Sequence, residues 1–270
     1  MKILYFYPRW GSEHIPWETF LDTVVNAGFD GVEISAPESD EDARTVMKMI
    51  NERDLQLILQ HYETETADFE EHRTQFNKRI KRLASLNPNF INSHTGKEHF
   101  SFEQNDQLLK DMLELEKESN IAISHETHRG RFSYAPSVLA KYLDQNDIKL
   151  TLDISHWFCV TESLLQAYEA IIKQCLGHVQ HIHARFGHPQ GPQLENLTDP
   201  INREIIYRHF EIWDKVIKYH QDLGKDLLYV TTEVGPWPYM RSEQAKSRTW
   251  KKQWSENCKI MQLFKDRYGN

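Results

Sequence analysis

Short apolar segments recur at regular intervals along this chain of 270 residues, and a stretch with helical spacing of apolar residues follows each of them. There are eight, and in chain order they read ILYFY, GVEIS, LQLILQ, FINSH, IAISHE, LTLDIS, HVQHIH and LLYVTTE. Helix ends are also visible, because Ser101 and Gln104 form a capping-box sequence and Gly28 and Gly224 stand where helices should stop. Eight strand–helix units in about 250 residues predict a closed (β/α)₈ TIM barrel, an α/β fold, as a single domain over residues 1–270.

A doubly wound open sheet is the main alternative, but no Gly-x-Gly-x-x-Gly turn follows the first predicted strand. The connection after the seventh strand, residues 185–202, is long and rich in Pro, Gly and Asn. Long connections in compact domains are often lids, and a plain surface loop is the equally weighted alternative.

Composition limits the classes of partner. The formal net charge is -8, which gives no general attraction for nucleic acid or anionic lipid, and there is no apolar run of about 18 residues for a membrane span. We therefore expect no nucleic-acid and no membrane partner. Cys159, Cys175 and Cys258 are too few and too widely spaced for a disulfide framework, so we expect a reducing, cytoplasmic location.

Polar residues stand at the ends of the predicted strands. In a (β/α)₈ barrel these ends meet at one mouth, where catalytic side chains converge. A single polar strand end often only meets solvent or caps a helix, whereas seven together predict a functional site. Strands two to eight end, in order, at Glu33, His61, His94, Glu126, Asp153, His183 and Glu233.

Strands five to eight supply a set of donors for a divalent cation, namely Glu126, Asp153, His183 and Glu233. Without a cation, three neighbouring carboxylates would raise one another's pKa values. Oxygen-rich donors with one imidazole suit Mn²⁺, which we favour, and also Mg²⁺ or Co²⁺, with Zn²⁺ as a further candidate. The competing account is a set of buried salt bridges from these carboxylates to Arg129, Arg131 and Arg185.

Side chains two positions apart on a strand share a face. Ser124, Thr151, His181 and Thr231 should therefore point inward beneath the four donors and hold them in position, or else be polar core residues without a further role. His181 could replace His183 as a ligand, but His183 is favoured because it stands nearer the strand tip.

Five segments, GFDGVEIS, SHETH, LDISH, HIHAR and TTEVG, resemble in order and spacing the signatures of the xylose-isomerase-like TIM barrels. The resemblance runs over the whole chain and is strongest to sugar isomerases and epimerases of the tagatose 3-epimerase type. It implies that Glu126, Asp153, His183 and Glu233 are the metal ligands and that His156 contacts the substrate near the metal. The implied activity is proton transfer beside the carbonyl of a small sugar or sugar derivative, through a metal-stabilised enediolate, with Glu126 and Glu233 as acid and base on opposite faces of the substrate.

The remaining predicted substrate contacts lie in the loops and strand ends at the same mouth. They are Arg185, His94, His61, Glu33, His128, Trp10, Trp157 and Trp237, and the three tryptophans either stack on a sugar or close the mouth. The chain departs from many relatives at Arg185, two positions after His183. Together with Lys97, Arg129 and Arg131, Arg185 could bind a carboxylate or phosphate of the substrate or balance the acidic cluster. Related barrels often associate through outer helices or long loops, so the chain could form a homo-oligomer.

Three other functions are compatible with parts of the pattern. A metal-dependent lyase or dehydratase on an oxidised sugar or glycoside would use the same enolate chemistry. A DNA repair enzyme similar to endonuclease IV would use His61 and His94, but the Asp-x-His pair that such a site needs is missing between Arg185 and Tyr229. An inactive sugar-binding protein is the last alternative, against which the complete ligand set argues.

Overall fold

The computed structural model describes residues 1–240 and 250–269. Eight parallel strands form a closed barrel in which each strand pairs with its neighbours in sequence and the last pairs with the first. The strands are β1 Lys2–Pro8, β2 Gly31–Ile34, β3 Gln56–His61, β4 Phe90–Ser93, β5 Ala122–Glu126, β6 Lys149–Leu152, β7 Val179–Ala184 and β8 Leu227–Thr232. The prediction of a single TIM-barrel domain is confirmed, and the open sheet is excluded by the pairing of β1 with β8.

Helices surround the barrel. In the described residues they are α1 Trp17–Asn26, α2 Asp40–Asn51, α3 Phe69–Ala84, α4 Phe102–Ser119, α5 Pro136–Leu143, α6 Ile154–Thr161, α7 Glu169–Cys175, α8 Arg203–Asp222 and α9 Trp250–Tyr268. The predicted capping box begins α4, where Ser101 and Gln104 exchange side-chain and backbone hydrogen bonds. Gly28 and Gly224 follow α1 and α8 with φ of +78° and +66°, a conformation that glycine adopts without a steric cost.

The sixth strand is shorter than the sequence predicts. β6 ends at Leu152, and Asp153 is the N-cap of α6, which already contains Ile154 and Ser155. The carboxylate of Asp153 accepts a hydrogen bond from the backbone N–H of Ser155 at 2.9 Å, so capping overrides the apolar pattern that suggested a longer strand.

The interior of the barrel changes from apolar to polar along its axis. Leu4, Phe6, Ile58 and Phe90 form an apolar layer inside the sheet, separate from the larger core between the strands and the helices. Polar side chains begin next to this layer, since the ring of His181 lies 5.2 Å from that of Phe90, centroid to centroid. The apolar layer therefore forms the floor on which the polar site stands.

The connection 185–202 is tied to the mouth of the barrel. The side chain of Gln193 accepts from the backbone N–H of Gly235 at 2.7 Å and donates to its carbonyl at 3.3 Å. Because Gly235 lies just after β8, this connection packs over the loops at the carboxyl ends of the strands. Across the described helices, none is both long and apolar enough to traverse a lipid bilayer.

Candidate metal centre

The four predicted ligands lie together at the carboxyl ends of β5 to β8. Glu126 ends β5, Asp153 follows β6, His183 lies in β7 and Glu233 follows β8. One ligand atom from each residue can be chosen such that all four atoms lie within 4.8 Å of one another, and all four residues are buried. This arrangement has the donor number and spacing of a site for one divalent cation.

Three of the four residues carry a buried polar atom that has no hydrogen-bond partner among the described residues. These atoms are Glu126 Oε1, His183 Nδ1 and Glu233 Oε2. His183 Nδ1 lies 3.1 Å from Glu233 Oε2 and 3.5 Å from Glu126 Oε2, so the unpaired atoms of His183 and Glu233 face each other beside the Glu126 carboxylate. Unsatisfied buried polar atoms are costly, and a cation between His183 Nδ1 and Glu233 Oε2 would satisfy both. The residues present therefore fit a metal ion.

The orientation of His183 is fixed from its other side. Its Nε2 lies 3.0 and 3.1 Å from the two carboxylate oxygens of Glu33, which accept a hydrogen bond from it. This leaves Nδ1 as the nitrogen that faces the ligand set. A carboxylate behind an imidazole is the usual way of holding a metal-binding histidine in one tautomer.

Asp153 is the least available of the four donors. Its Oδ1 accepts from the Ser155 backbone N–H and, at 2.5 Å, from the Ser155 hydroxyl. Its Oδ2 contacts the guanidinium of Arg185, whose Nη2 also lies 3.3 Å from Glu233 Oε2. A carboxylate oxygen has two lone pairs, so Asp153 can bind a cation only while it shares Oδ2 with Arg185 or after it releases Arg185.

The salt-bridge account thus holds for Arg185, which is 2% exposed, and not for the other two arginines. Arg129 donates to the hydroxyl of Tyr239 at 3.2 Å, and Arg131 pairs with Glu65. One guanidinium does not neutralise the cluster. Even with His183 protonated, the four buried carboxylates of this site keep two uncompensated negative charges; these carboxylates are Glu33, Glu126, Asp153 and Glu233.

The pKa values reflect this crowding of charge. Burial disfavours the charged form of every group, and it raises the pKa of Asp153 to about 6 although Arg185 opposes the change. For Glu126 the effect of burial is overcome by His94 and His183, which hold the pKa of that carboxyl well below its usual range. Burial alone would lower the pKa of His183, but Glu233, Glu33 and Glu126 raise it well above the usual value. A metal ion at this site would therefore compete with a proton for His183.

A hydrogen-bonded polar layer lies beneath the ligands, formed by the residues that strand alternation assigned to it. The Thr151 hydroxyl bonds to the Ser124 hydroxyl at 2.9 Å and to His181 Nδ1 at 3.1 Å, and His181 Nε2 bonds to the Thr231 hydroxyl at 2.8 Å. Both ring nitrogens of His181 are thus occupied. This occupancy favours His183 as the ligand, and the role of the layer in holding the ligands stays a prediction.

Asn92 in β4 lies at the centre of the site and was missed by the sequence reasoning. Its side-chain amide donates to Glu33 at 2.8 Å and to Glu126 at 2.9 Å, and lies 3.2 Å from His183 Nε2. The signal was available, because Asn92 precedes His94 by two positions and therefore shares its face of the strand.

A cavity of about 240 Å³ opens onto the ligand set at Glu233. Its lining residues are Trp10, Gln60, Tyr62, His94, His128, Arg131, Arg185, Glu233 and Tyr239. Of the predicted substrate contacts, Trp10, His94, His128 and Arg185 line this cavity. Arg131, for which the sequence left open a substrate anion or the acidic cluster as partner, lines it as well, whereas Gln60, Tyr62 and Tyr239 were not among the predicted contacts.

Two strand-end residues predicted to contact substrate lie elsewhere. His61 faces away from the cavity, with its ring nitrogens bonded to Ser93 at 3.1 Å and Thr64 at 2.8 Å. The reason is strand alternation, which turns Gln60 inward and His61 toward the surrounding helices. Glu33 is not among the lining residues either, since it supports His183 from beneath.

His156 also does not line the cavity. It is fully buried, and its Nε2 accepts a hydrogen bond from Arg185 at 2.8 Å. Its ring packs on His128 at 3.9 Å between centroids, and His128 stacks in turn on His94 at 4.2 Å. The role of His156 in substrate binding stays a prediction: the ring contacts two lining residues, Arg185 and His128, but is not itself part of the lining.

The three tryptophans have different environments. Trp10 forms part of the cavity wall against Gly235, where any Cβ would approach the indole to 2.3 Å. Trp157 is fully buried on α6 and donates to the carbonyl of Ser133 at 3.0 Å, so it packs beneath the mouth and does not face a sugar. Trp237 is 55% exposed and lies outside the cavity lining.

Known proteins share this architecture. Residues 21–189 match the family model described as xylose isomerase-like TIM barrel. A sugar phosphate isomerase/epimerase from Parabacteroides distasonis is 12% identical with a TM-score of 0.60, covering 96% of this chain and 95% of the other. A probable 3-DHS dehydratase from Bacillus anthracis is 15% identical with a TM-score of 0.58, covering 96% and 98%. Endonuclease IV from Thermus thermophilus is 11% identical with a TM-score of 0.57, covering 93% and 99%.

At such identities these likenesses show the fold alone. No curated protein sequence matches the chain. The family match covers more than half of the residues, among them three of the four proposed ligands: Glu126, Asp153 and His183. The chain therefore belongs to the xylose isomerase-like TIM barrel family.

Proposed function

We propose that this protein is a divalent-metal-dependent sugar isomerase or epimerase that transfers a proton beside the substrate carbonyl. The observation that carries the proposal is the convergence of one donor atom from each of Glu126, Asp153, His183 and Glu233 within 4.8 Å of one another, next to a small cavity that Glu233 lines. The cavity of about 240 Å³ is small for a macromolecular ligand and suits a compact, polar molecule such as a sugar.

Glu126, Asp153, His183 and Glu233 would hold the ion, and three carboxylates with one imidazole favour Mn²⁺ over softer metals. Bound there, such a cation supplies Lewis acidity that stabilises negative charge developing on the substrate oxygens. The acid and base groups of the proposed reaction are side chains of the protein.

Glu233 is the better placed of the two proposed bases. It lines the cavity, and if its Oε2 holds the ion, its second carboxylate oxygen is the one that would take a proton from a substrate carbon. Glu126 lies deeper, with Oε2 held by Asn92 and by His94 Nε2 at 3.0 Å. His94 lines the cavity. A proton can therefore reach the substrate from this side by two routes: directly from Glu126, or from Glu126 through the hydrogen bond between Glu126 and His94.

The geometry favours a small-molecule reaction over DNA repair. His61, on which the endonuclease reading depends, has both ring nitrogens bonded to Ser93 and Thr64 and faces away from the cavity. The net charge of -8 also opposes nucleic-acid binding. Cys159, Cys175 and Cys258 are free thiols, as the cytoplasm would keep them, and we place the enzyme there.

The proposal is tested with Glu233→Gln and a panel of ketoses and aldoses incubated in D₂O with Mn²⁺. The wild type should place deuterium on the carbon beside the carbonyl of at least one sugar, and Glu233→Gln should lower that rate by about two to four orders of magnitude. Glu114→Gln, on the exposed face of α4, is the matched control and should exchange at the wild-type rate.

Metal analysis accompanies the exchange assay. Protein purified without chelator from metal-replete cells should contain about one equivalent of a divalent metal. Unchanged exchange in Glu233→Gln would remove this residue from the mechanism. Release of a leaving group from the substrate, with no isomer of the substrate formed, would assign the protein to the lyase or dehydratase class. Bound metal without any turnover would indicate an inactive binding protein.

A further inference from the structure

Two buried cations stand beside the cavity on the side of β3 and β4. Arg131 is 6% exposed and lines the cavity, and Lys97 is 8% exposed. Both contact the same carboxylate, that of Glu65, in the loop between β3 and α3. The side chain of Glu65 is 63% exposed. A buried pair of cations therefore depends on one carboxylate that reaches them from solvent.

The charge of this pair is not balanced locally. Apart from Glu65, Arg131 donates only to the backbone carbonyls of Tyr62 at 3.2 Å and Thr64 at 3.3 Å among the described residues. Within the described residues, Lys97 Nζ makes a polar contact only with Glu65. Two positive charges thus meet one negative charge, and a positive charge is left over next to the cavity.

The other arginines at the mouth are committed elsewhere. Arg185 is bound to Asp153 and lies against Glu233, and Arg129 donates to the Tyr239 hydroxyl. Arg131 is therefore the lining cation that a ligand could engage without disturbing the proposed metal ligands. Because Arg131 and Glu233 line the same cavity, one molecule can touch both.

We propose that Arg131 and Lys97 form an anion-binding subsite of this cavity, and that Glu65 occupies it until an anionic substituent of the sugar takes its place. This inference rests on the proposed function, and it specifies the substrate class as a sugar that carries a phosphate or a carboxylate. The side chain of Glu65 is largely exposed, so its carboxylate returns to water when a ligand anion takes its place at the two cations. Buried cations, in contrast, need a partner at all times, and a guanidinium with an ammonium matches the geometry of an oxyanion.

The neighbouring residues provide a matched pair of variants. Glu65→Gln removes the carboxylate that competes for the two cations. Glu63→Gln makes the same change two residues earlier, where the carboxylate instead pairs with Arg79 at 2.6 Å. Arg131→Gln removes the cation that lines the cavity. Neither Glu63 nor Glu65 belongs to the proposed metal site or takes part in the proposed proton transfer.

The experiment is calorimetric titration of the full-length protein, in chloride buffer with MgCl₂, with inorganic phosphate and separately with acetate. Glu65→Gln should bind phosphate about tenfold more tightly than the wild type, which is the size expected when one competing charge-assisted contact is lost. Glu63→Gln should equal the wild type, and Arg131→Gln should bind at least about tenfold more weakly. Because Glu65→Gln gains affinity, a poorly folded variant cannot imitate the result.

Tightening for phosphate alone supports a phosphorylated sugar, and tightening for both anions supports a sugar acid. Equal affinities in wild type, Glu65→Gln and Glu63→Gln would overturn the subsite. The outcome is independent of turnover: a protein that shows no deuterium exchange can still show this difference, and one that exchanges deuterium can lack it. Failure of the subsite and failure of the proposed reaction are therefore read separately.

Discussion

We expect Arg185 to oppose the binding of a metal ion at the proposed site. Its guanidinium contacts Asp153 Oδ2 and lies 3.3 Å from Glu233 Oε2, an atom with no hydrogen bond among the described residues. A cation bound to that oxygen at about 2.1 Å would lie about 4 to 5 Å from the guanidinium nitrogen. Replacing Arg185 with glutamine should therefore strengthen metal binding.

The expected size follows from two opposing effects. Repulsion between a divalent cation and the unit charge of Arg185 at this separation is about 7 to 8 kcal/mol with an effective dielectric constant of 20, and Arg185→Gln removes it. The same change removes the charge-assisted bond that positions Asp153, which contributes about 1.5 to 3 kcal/mol. The difference is about 4 to 6 kcal/mol, so affinity for the metal should rise by about three orders of magnitude or more.

Titration with Mn²⁺, followed by calorimetry or by the electron paramagnetic resonance signal of free Mn²⁺, measures this affinity directly. Arg129→Gln removes the same charge from the mouth without touching a proposed ligand and should leave the affinity near the wild-type value. Arg185 also lines the cavity, so kcat/KM should fall in Arg185→Gln while metal affinity rises. Weaker Mn²⁺ binding in Arg185→Gln would refute the reasoning and show that Arg185 organises the ligands.

Two further predictions concern His183 and its environment. Glu33→Gln keeps the shape of the carboxylate behind His183 Nε2 but removes its charge, and it should weaken metal binding by about 10- to 100-fold in the same titration. Metal affinity should also rise with pH, because the carboxylates raise the pKa of His183 and its proton must leave before Nδ1 can bind. Below about pH 6 Asp153 is protonated as well, so a plot of log affinity against pH should there approach a slope of two, and above about pH 6 a slope of one. An affinity for the metal that stops rising at pH 6.5 would contradict a raised His183 pKa.

The fold was predictable because it depends on patterns that repeat. Each of the eight segments needed only to be apolar, short and followed by a helical spacing, and an error at one boundary did not affect the others. The boundary at β6 shows the limit of such patterns. Leu150, Leu152 and Ile154 alternate as in a strand, but the carboxylate of Asp153 caps the next helix, and a local hydrogen bond of this kind has no periodic signature.

The ligand set was predictable for the same reason, whereas the cavity lining was not. Strand ends identify which residues reach the mouth, but their direction depends on alternation within each strand. Alternation along β5 to β8 identified the polar layer that contains Thr151 and His181. The same rule along β3 and β4 would have predicted Gln60, in place of His61, as a cavity residue and would have added Asn92 to the site. Arg131 and Tyr239 lie in loops, whose paths the sequence does not determine.

Arg185 illustrates what only coordinates can decide. From the sequence, an arginine two positions after a metal-binding histidine can bind substrate or neutralise carboxylates with equal plausibility. In the structure Arg185 pairs with a carboxylate, that of Asp153, and it also lines the cavity in which a substrate would bind. Because its guanidinium holds Asp153, and Asp153 also caps α6, we expect a metal ion at the proposed site to affect the first turn of that helix and His156 within it. An ion that drew Asp153 Oδ2 away from Arg185 would free the guanidinium toward the cavity, so occupation of the metal site would itself prepare a cation for the substrate.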